Sequence, residues 1–104
     1  MNVFKGLNGT IVLHEEYVSI VRNSMIDSTF HEVGEMKIPY KRIKKIEVVP
    51  GGLTNGYITL MEDNSVFPST VFMALKNKNS VIFRMTKNSG AEKIKNMICE
   101  KCKE

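Results

Sequence analysis

Lys37-Ile38-Pro39-Tyr40-Lys41-Arg42-Ile43-Lys44-Lys45-Ile46-Glu47-Val48-Val49 is the stretch on which the fold turns. Ile38 and Tyr40 share one parity, and Ile46 and Val48 share it again, as the inward residues of a strand do. Ile43 falls out of phase. An apolar residue at the wrong parity means that the chain leaves the strand there. Ile43 and Ile46 stand at the spacing of one helical turn. The pattern predicts strand, corner, strand, with Ile43 pinning the corner inward. Lys41, Arg42, Lys44 and Lys45 are carried on that corner.

Working outward, Thr10-Ile11-Val12-Leu13 and Tyr17-Val18-Ser19-Ile20-Val21 are β-branched and aromatic runs separated by the polar His14-Glu15-Glu16. They read as a hairpin, with Val18 and Ile20 on one face. Asn23 to Met36 is polar yet carries Met25, Ile26 and Phe30, and a structureless connection of that length is unusual in a compact domain. It reads either as an extended hairpin or half-turn of helix with those residues tucked inward, or as a recognition loop that exposes them.

After the corner, Pro50-Gly51-Gly52-Leu53-Thr54-Asn55-Gly56 is a turn cluster leading into the strand Tyr57–Met61. Glu62–Ser65 is a further polar turn. Val66 to Leu75 is apolar but contains Pro68, which lacks a ladder donor, so it reads as an edge strand or covering loop. Ser80–Met85 reads as a strand. The period then changes. Ser89 and Glu92 form a capping box, and Ala91, Ile94, Met97 and Ile98 follow helical spacing over about 90–102. Lys101 and Lys103 suit the negative end of the helix dipole. Burial of Ile94 and Ile98 is worth ~1.5–3 kcal/mol each, and so short a helix must pack to persist. Short strands and one terminal helix imply a mainly β fold, a small barrel or sandwich with the helix capping an open end.

Composition sets the bounds. A chain of 104 residues fits one domain, 1–104, with strands within 9–86. Tryptophan is absent, and the seven methionines read as core filler. A net charge of +4 and a pI near 9.1 favour acidic partners without choosing among them. Met1–Gly6 leads into no sustained apolar run, no stretch reaches the ~20 apolar residues of a membrane-spanning helix, and Cys99 and Cys102 make no disulfide framework. The cytoplasm is the expected location.

Each motif with possible chemistry has a plainer reading. Cys99-Glu100-Lys101-Cys102 sits at a helix end, whereas thiol activation needs a helix start. Only His14 and His31, far apart in the chain, could complete a zinc set. Gly51-Gly52 and Gly56 precede a strand, not the helix that a phosphate loop requires. Neither histidine finds a nucleophile, and Glu15-Glu16 and Glu62-Asp63 lie in turns. The sequence therefore implies no enzyme, no cofactor and no metal. The basic corner reads as a solvated turn that discourages edge aggregation, or as a holder of an anionic ligand.

The chain resembles a family of bacterial pleckstrin-homology-like domains that often precede a short C-terminal helical module, termed SHOCT. The matching pieces are Gly9-Thr10-Ile11-Val12 with Tyr17-Val18-Ser19-Ile20, Gly34 ahead of Lys37-Ile38-Pro39-Tyr40, Ile43-Lys44-Lys45-Ile46, the Gly51–Leu60 stretch, Asn79–Phe83 and the final helix. The resemblance implies two roughly orthogonal antiparallel sheets of about seven strands, with the helix plugging one end. It brings no catalytic residues, and it implies a domain type used for phosphoinositides, peptides or self-assembly. The chain departs from the family in stopping at the helix, which leaves open any function shared with the missing module.

Two functions follow as expectations. The first is a protein-interaction or self-assembly module, binding a protein partner or forming a homo-oligomer, with Met25, Ile26 and Phe30 as candidate contacts. The second is a binder of an anionic ligand at Lys41, Arg42, Lys44 and Lys45, with a membrane surface ahead of nucleic acid. Nucleic acid is the weaker branch because only Tyr40 supplies an aromatic beside the basic run.

Overall fold

The computed structural model describes residues 2–22, 34–63 and 67–103. Met25, Ile26, Phe30 and His31 lie outside them. The strands are β1 (Val3–Lys5), β2 (Thr10–Leu13), β3 (Tyr17–Arg22), β4 (Gly34–Pro39), β5 (Lys45–Val49), β6 (Gly56–Met61) and β7 (Ser80–Phe83). Two α-helices follow β6 and β7 respectively, α1 (Val71–Lys76) and α2 (Asn88–Cys102). The strands form two antiparallel sheets, β1-β2-β3-β4 and β5-β6-β7, so the protein is mainly β with a C-terminal helix.

Register follows from the apolar alternation. Ile11 pairs with Ile20 and Leu13 with Val18, and all four are buried. A slip of one residue would turn that set to solvent, which fixes the hairpin. Its turn closes through the His14 amide, which donates to the Tyr17 carbonyl at 2.9 Å.

The corner is as the parity break requires. Pro39 ends β4, and Tyr40–Arg42 makes a single 3₁₀ turn, closed by the Ile43 amide donating to the Tyr40 carbonyl at 3.1 Å. Ile43 packs on the core together with Ile46 and Val48. The Lys44 amide then donates to the Met61 carbonyl at 2.7 Å and starts the second sheet.

Strand β6 is buried along its whole length because the second sheet is covered on both faces. Ile58 and Leu60 join the main core, while Tyr57 lies with Ile82 and Ala74 of α1 in a separate cluster. The segment around Pro68 is therefore not an edge strand. Residues 67–70 are irregular and Val71–Lys76 is a helix, capped by Thr70, whose hydroxyl accepts from the Met73 amide at 3.1 Å. It does cover the sheet.

Helix α2 lays Ala91, Ile94 and Ile98, all fully buried, across residues of both sheets. Phe4 and Phe83 meet edge to face beneath it, 5.5 Å between centroids. Three further readings are corrected. Strand β1 begins at Val3, before the expected range 9–86, and it is too short for alternation to reveal it. Strand β7 stops at Phe83, because Met85–Lys87 winds into a 3₁₀ turn. Ser89 and Glu92 form no capping box, because that turn runs directly into α2 and places both inside the helix.

Asn88 has other work. Its side-chain amide accepts from the Gly51 N–H at 2.7 Å and donates to the Gly51 carbonyl at 3.0 Å, tying the glycine turn to the helix start. The two sheets are also joined near β7. The Leu7 amide donates to the Ile82 carbonyl at 2.6 Å, and the Asn8 side chain accepts from the Ile82 amide at 2.8 Å. Buried Arg22 donates to the carbonyls of Asn8 at 2.6 Å and Ser80 at 2.8 Å. A guanidinium with several fixed donors suits a place where strand ends leave carbonyls without ladder partners.

Candidate functional site

The 3₁₀ turn divides the basic corner. Tyr40 points inward, where its hydroxyl donates to the His14 carbonyl at 2.7 Å and burial pushes its phenol above the ordinary value. Lys41 and Arg42 are thereby directed outward into a cleft of about 660 Å³ beside the His14–Glu16 turn. Lys44 and Lys45 are exposed but do not line it, and the Lys45 ammonium stands 5.8 Å from the Phe67 ring. The four corner cations are thus two pairs on different surfaces.

The cleft recruits two cations that sequence spacing does not assign to it. Lys37 reaches it from β4 and Lys101 from the last turn of α2. Each sits over an aromatic ring, Lys37 5.4 Å from the Tyr17 centroid and Lys101 5.6 Å from that of Tyr40. Tyr17 is in turn stacked on His14 at 4.3 Å. Glu15 and Glu16 line the same cleft. Lys37 could be read as an outward strand residue and Lys101 as a helix-end charge, but only the fold brings position 101 to position 41.

His14 contributes to a small polar cluster and not to a nucleophile. Its Nε2 lies 3.7 Å from the Glu35 carboxylate, which also accepts a short hydrogen bond from Ser19. Cys99 and Cys102 are free thiols near the end of α2. Cys102 donates to the Tyr40 carbonyl at 3.5 Å, and burial, foremost, pushes its thiol upward, opposite to the shift a reactive cysteine needs. The glycine turn Gly51–Gly56 is held by Asn88, as described, and packs against Met85 and Phe83.

A second concavity, of about 760 Å³, lies between that turn and α1. Leu53, Val71, Phe72, Leu75 and Met85 line it together with the polar Thr54, Asn55 and Thr86, and Arg84 is its charged residue. Leu53 is fully exposed, Phe72 is 60% exposed and Met85 58%. The sequence assigns Leu53 to a turn and Phe72 to an edge strand or covering loop. It does not show that helix formation at 71–76 places Phe72 outward while Ala74 takes the buried position.

Among the described residues, no helix is long and apolar enough to cross a membrane. Comparison with protein-family models, with curated proteins and with solved structures finds no match for this chain.

Proposed function

We propose that this chain is a non-catalytic protein-interaction domain of the pleckstrin-homology-like type, and that the groove between the 52–55 turn and α1 is its docking face. In this reading the two sheets close into a barrel of roughly orthogonal layers, capped by α2. The four-plus-three strand arrangement, the corner at Tyr40–Arg42 and the helix lying against both sheets support it. The observation that carries the function is the exposure of Leu53, Phe72 and Met85 around one groove. Large apolar side chains gathered on a surface concavity mark interaction sites, whereas single scattered ones do not. Arg84 is the charged lining residue, so the occupant that fits is a protein segment presenting apolar side chains beside a carboxylate.

Selection of displayed random peptides on the folded domain tests this. Binders should be enriched in apolar residues flanked by Asp or Glu, and should lose at least about tenfold in affinity for the Leu53→Glu/Phe72→Glu variant, since a few anchors carry most interface energy. Both side chains are exposed, so the variant should keep its circular dichroism spectrum. Peptides that bind the variant equally well would remove the groove as the docking face. Light scattering settles the self-assembly form: a dimer at high concentration that the same variant dissolves makes a second copy the occupant, and a strictly monomeric mass removes that form.

A further inference from the structure

We infer that Met85 is a reversible oxidation site whose sulfoxide weakens binding in the groove between the 52–55 turn and α1. The inference rests on the reading of that groove as a docking face and adds its regulation. Among the described residues two methionines are exposed, Met85 at 58% and Met73 at 49%, and only Met85 lines the groove. Both depart from the expectation that methionine here is core filler. Met61 is buried, and Met36 and Met97 are half-buried against the main core. A thioether is oxidised where peroxide can reach its sulfur, so Met85 and Met73 should react ahead of those three.

Met85 opens the 3₁₀ turn after β7, and its main chain lies against the glycine turn. A Cβ on Gly51 would stand 2.9 Å from the Met85 nitrogen and 2.9 Å from its Cα, and Gly51 is itself tied to Asn88. The backbone is therefore fixed, and the flexible thioether is the part that meets a ligand. Hydrogen peroxide is the oxidant. A sulfur lone pair takes one peroxide oxygen, the O–O bond breaks, an S–O bond forms, and the second oxygen leaves as water with both protons. Sulfur gives up two electrons and the peroxide gains them. A thiol-dependent sulfoxide reductase reverses the change: two thiols supply the electrons and become a disulfide, and the oxygen leaves as water. Oxidation thus puts a polar, chiral sulfur with a strong acceptor oxygen where an apolar chain had been. Covering that oxygen with apolar groups strands an acceptor, which is unfavourable. Arg84, which precedes Met85 and also lines the groove, is the donor at hand. A guanidinium engaged by the sulfoxide is withdrawn from a ligand's anionic group.

Limited treatment of the folded protein with peroxide, followed by peptide mapping of each methionine, tests the site. Met85 and Met73 should be converted before Met61, Met36 and Met97, and conversion of Met61 as fast as Met85 would overturn the assignment. Groove binding is then read with two probes, the apolar anion 8-anilinonaphthalene-1-sulfonate and displayed peptides selected on the folded domain. Three proteins are compared: wild type, Met73→Leu and Met85→Leu. Leu and Met are close in volume and both positions are exposed, so the variants should fold alike. Met73 is the internal control, exposed but outside the groove. Oxidation should weaken both probes by at least about fivefold in wild type and Met73→Leu, and by less than about twofold in Met85→Leu. Reductase with dithiothreitol should restore the binding. No loss in wild type, an equal loss in Met85→Leu, or a loss that reduction does not restore would overturn the switch and leave the docking face standing. A dye that responds as expected while no peptide binds supports the switch and removes the protein-docking reading. If neither probe binds the unoxidised protein, both fall.

Discussion

Gly56 opens β6 at a point where no side chain fits. A Cβ there would stand 2.5 Å from the Gly51 nitrogen, 2.5 Å from the Val49 carbonyl oxygen and 2.7 Å from the Phe83 ring. Two of those atoms are backbone and cannot swing away. Gly56→Ala is therefore expected to destabilise the protein by about 1–3 kcal/mol, the usual range for overpacking, with the midpoint of urea unfolding as the measurement. An unchanged midpoint would mean that the 51–56 turn is looser than its packing implies. The glycine cluster was legible in the sequence as a turn, but the reason for Gly56 was not. It depends on Gly51 approaching from across the turn, held there by Asn88, a residue 37 positions away in the chain. Residue-level signals of that kind, like Arg22 gathering the carbonyls of Asn8 and Ser80, come from tertiary closure and leave no local pattern.

At the scale of elements, Ile43 shows how much one residue can disclose. Its parity break announced a corner, and the 3₁₀ turn with Ile43 packed on the core is the physical form that break takes. Helix α1 is the contrary case. Six residues carry too little period to separate helix from strand, and Pro68 pointed only to the absence of a regular central strand. The helix exists because Thr70 caps it and because Ala74 fits against Tyr57 and Ile82. Thr70→Ala should cost about 1 kcal/mol of helix stability and raise amide exchange across 71–76, with β2 and β3 unchanged. Uniform exchange changes over the whole chain would show that α1 is not a separable unit. The candidate site divided in the same way. The corner itself was readable, whereas Lys37 and Lys101 became part of it only through the pairing of β4 and the docking of α2.

For the whole molecule, the titration of buried and half-buried groups gives a direction to the pH dependence. Tyr40, Tyr57 and Cys102 all have pKa values raised above their ordinary ones, burial being the largest cause in each. Unfolding returns them to water, where they lose protons at lower pH than in the folded state. Their contribution is therefore intact below the ordinary values and is lost as pH climbs through the raised ones. The urea midpoint should be flat around neutrality and fall as pH rises through about 8.5, where an unperturbed thiol is half ionised. Tyr57→Phe, which also removes the hydroxyl's 3.0 Å bond to the Pro68 carbonyl, should flatten part of the alkaline fall. A midpoint that rises with alkalinity would contradict the raised pKa values of all three. The strand order carries one more consequence, for synthesis. Among the described residues every ladder joins strands consecutive in the chain, so β1 to β4 need nothing beyond residue 39 to pair. Its inner face, with Ile11, Ile20 and Ile38, nevertheless stays uncovered until the second sheet and then α2 have emerged from the ribosome. The nascent chain therefore passes through an interval in which a paired but one-sided sheet is open to aggregation or to capture by a chaperone, and the arrival of the last helix ends that interval.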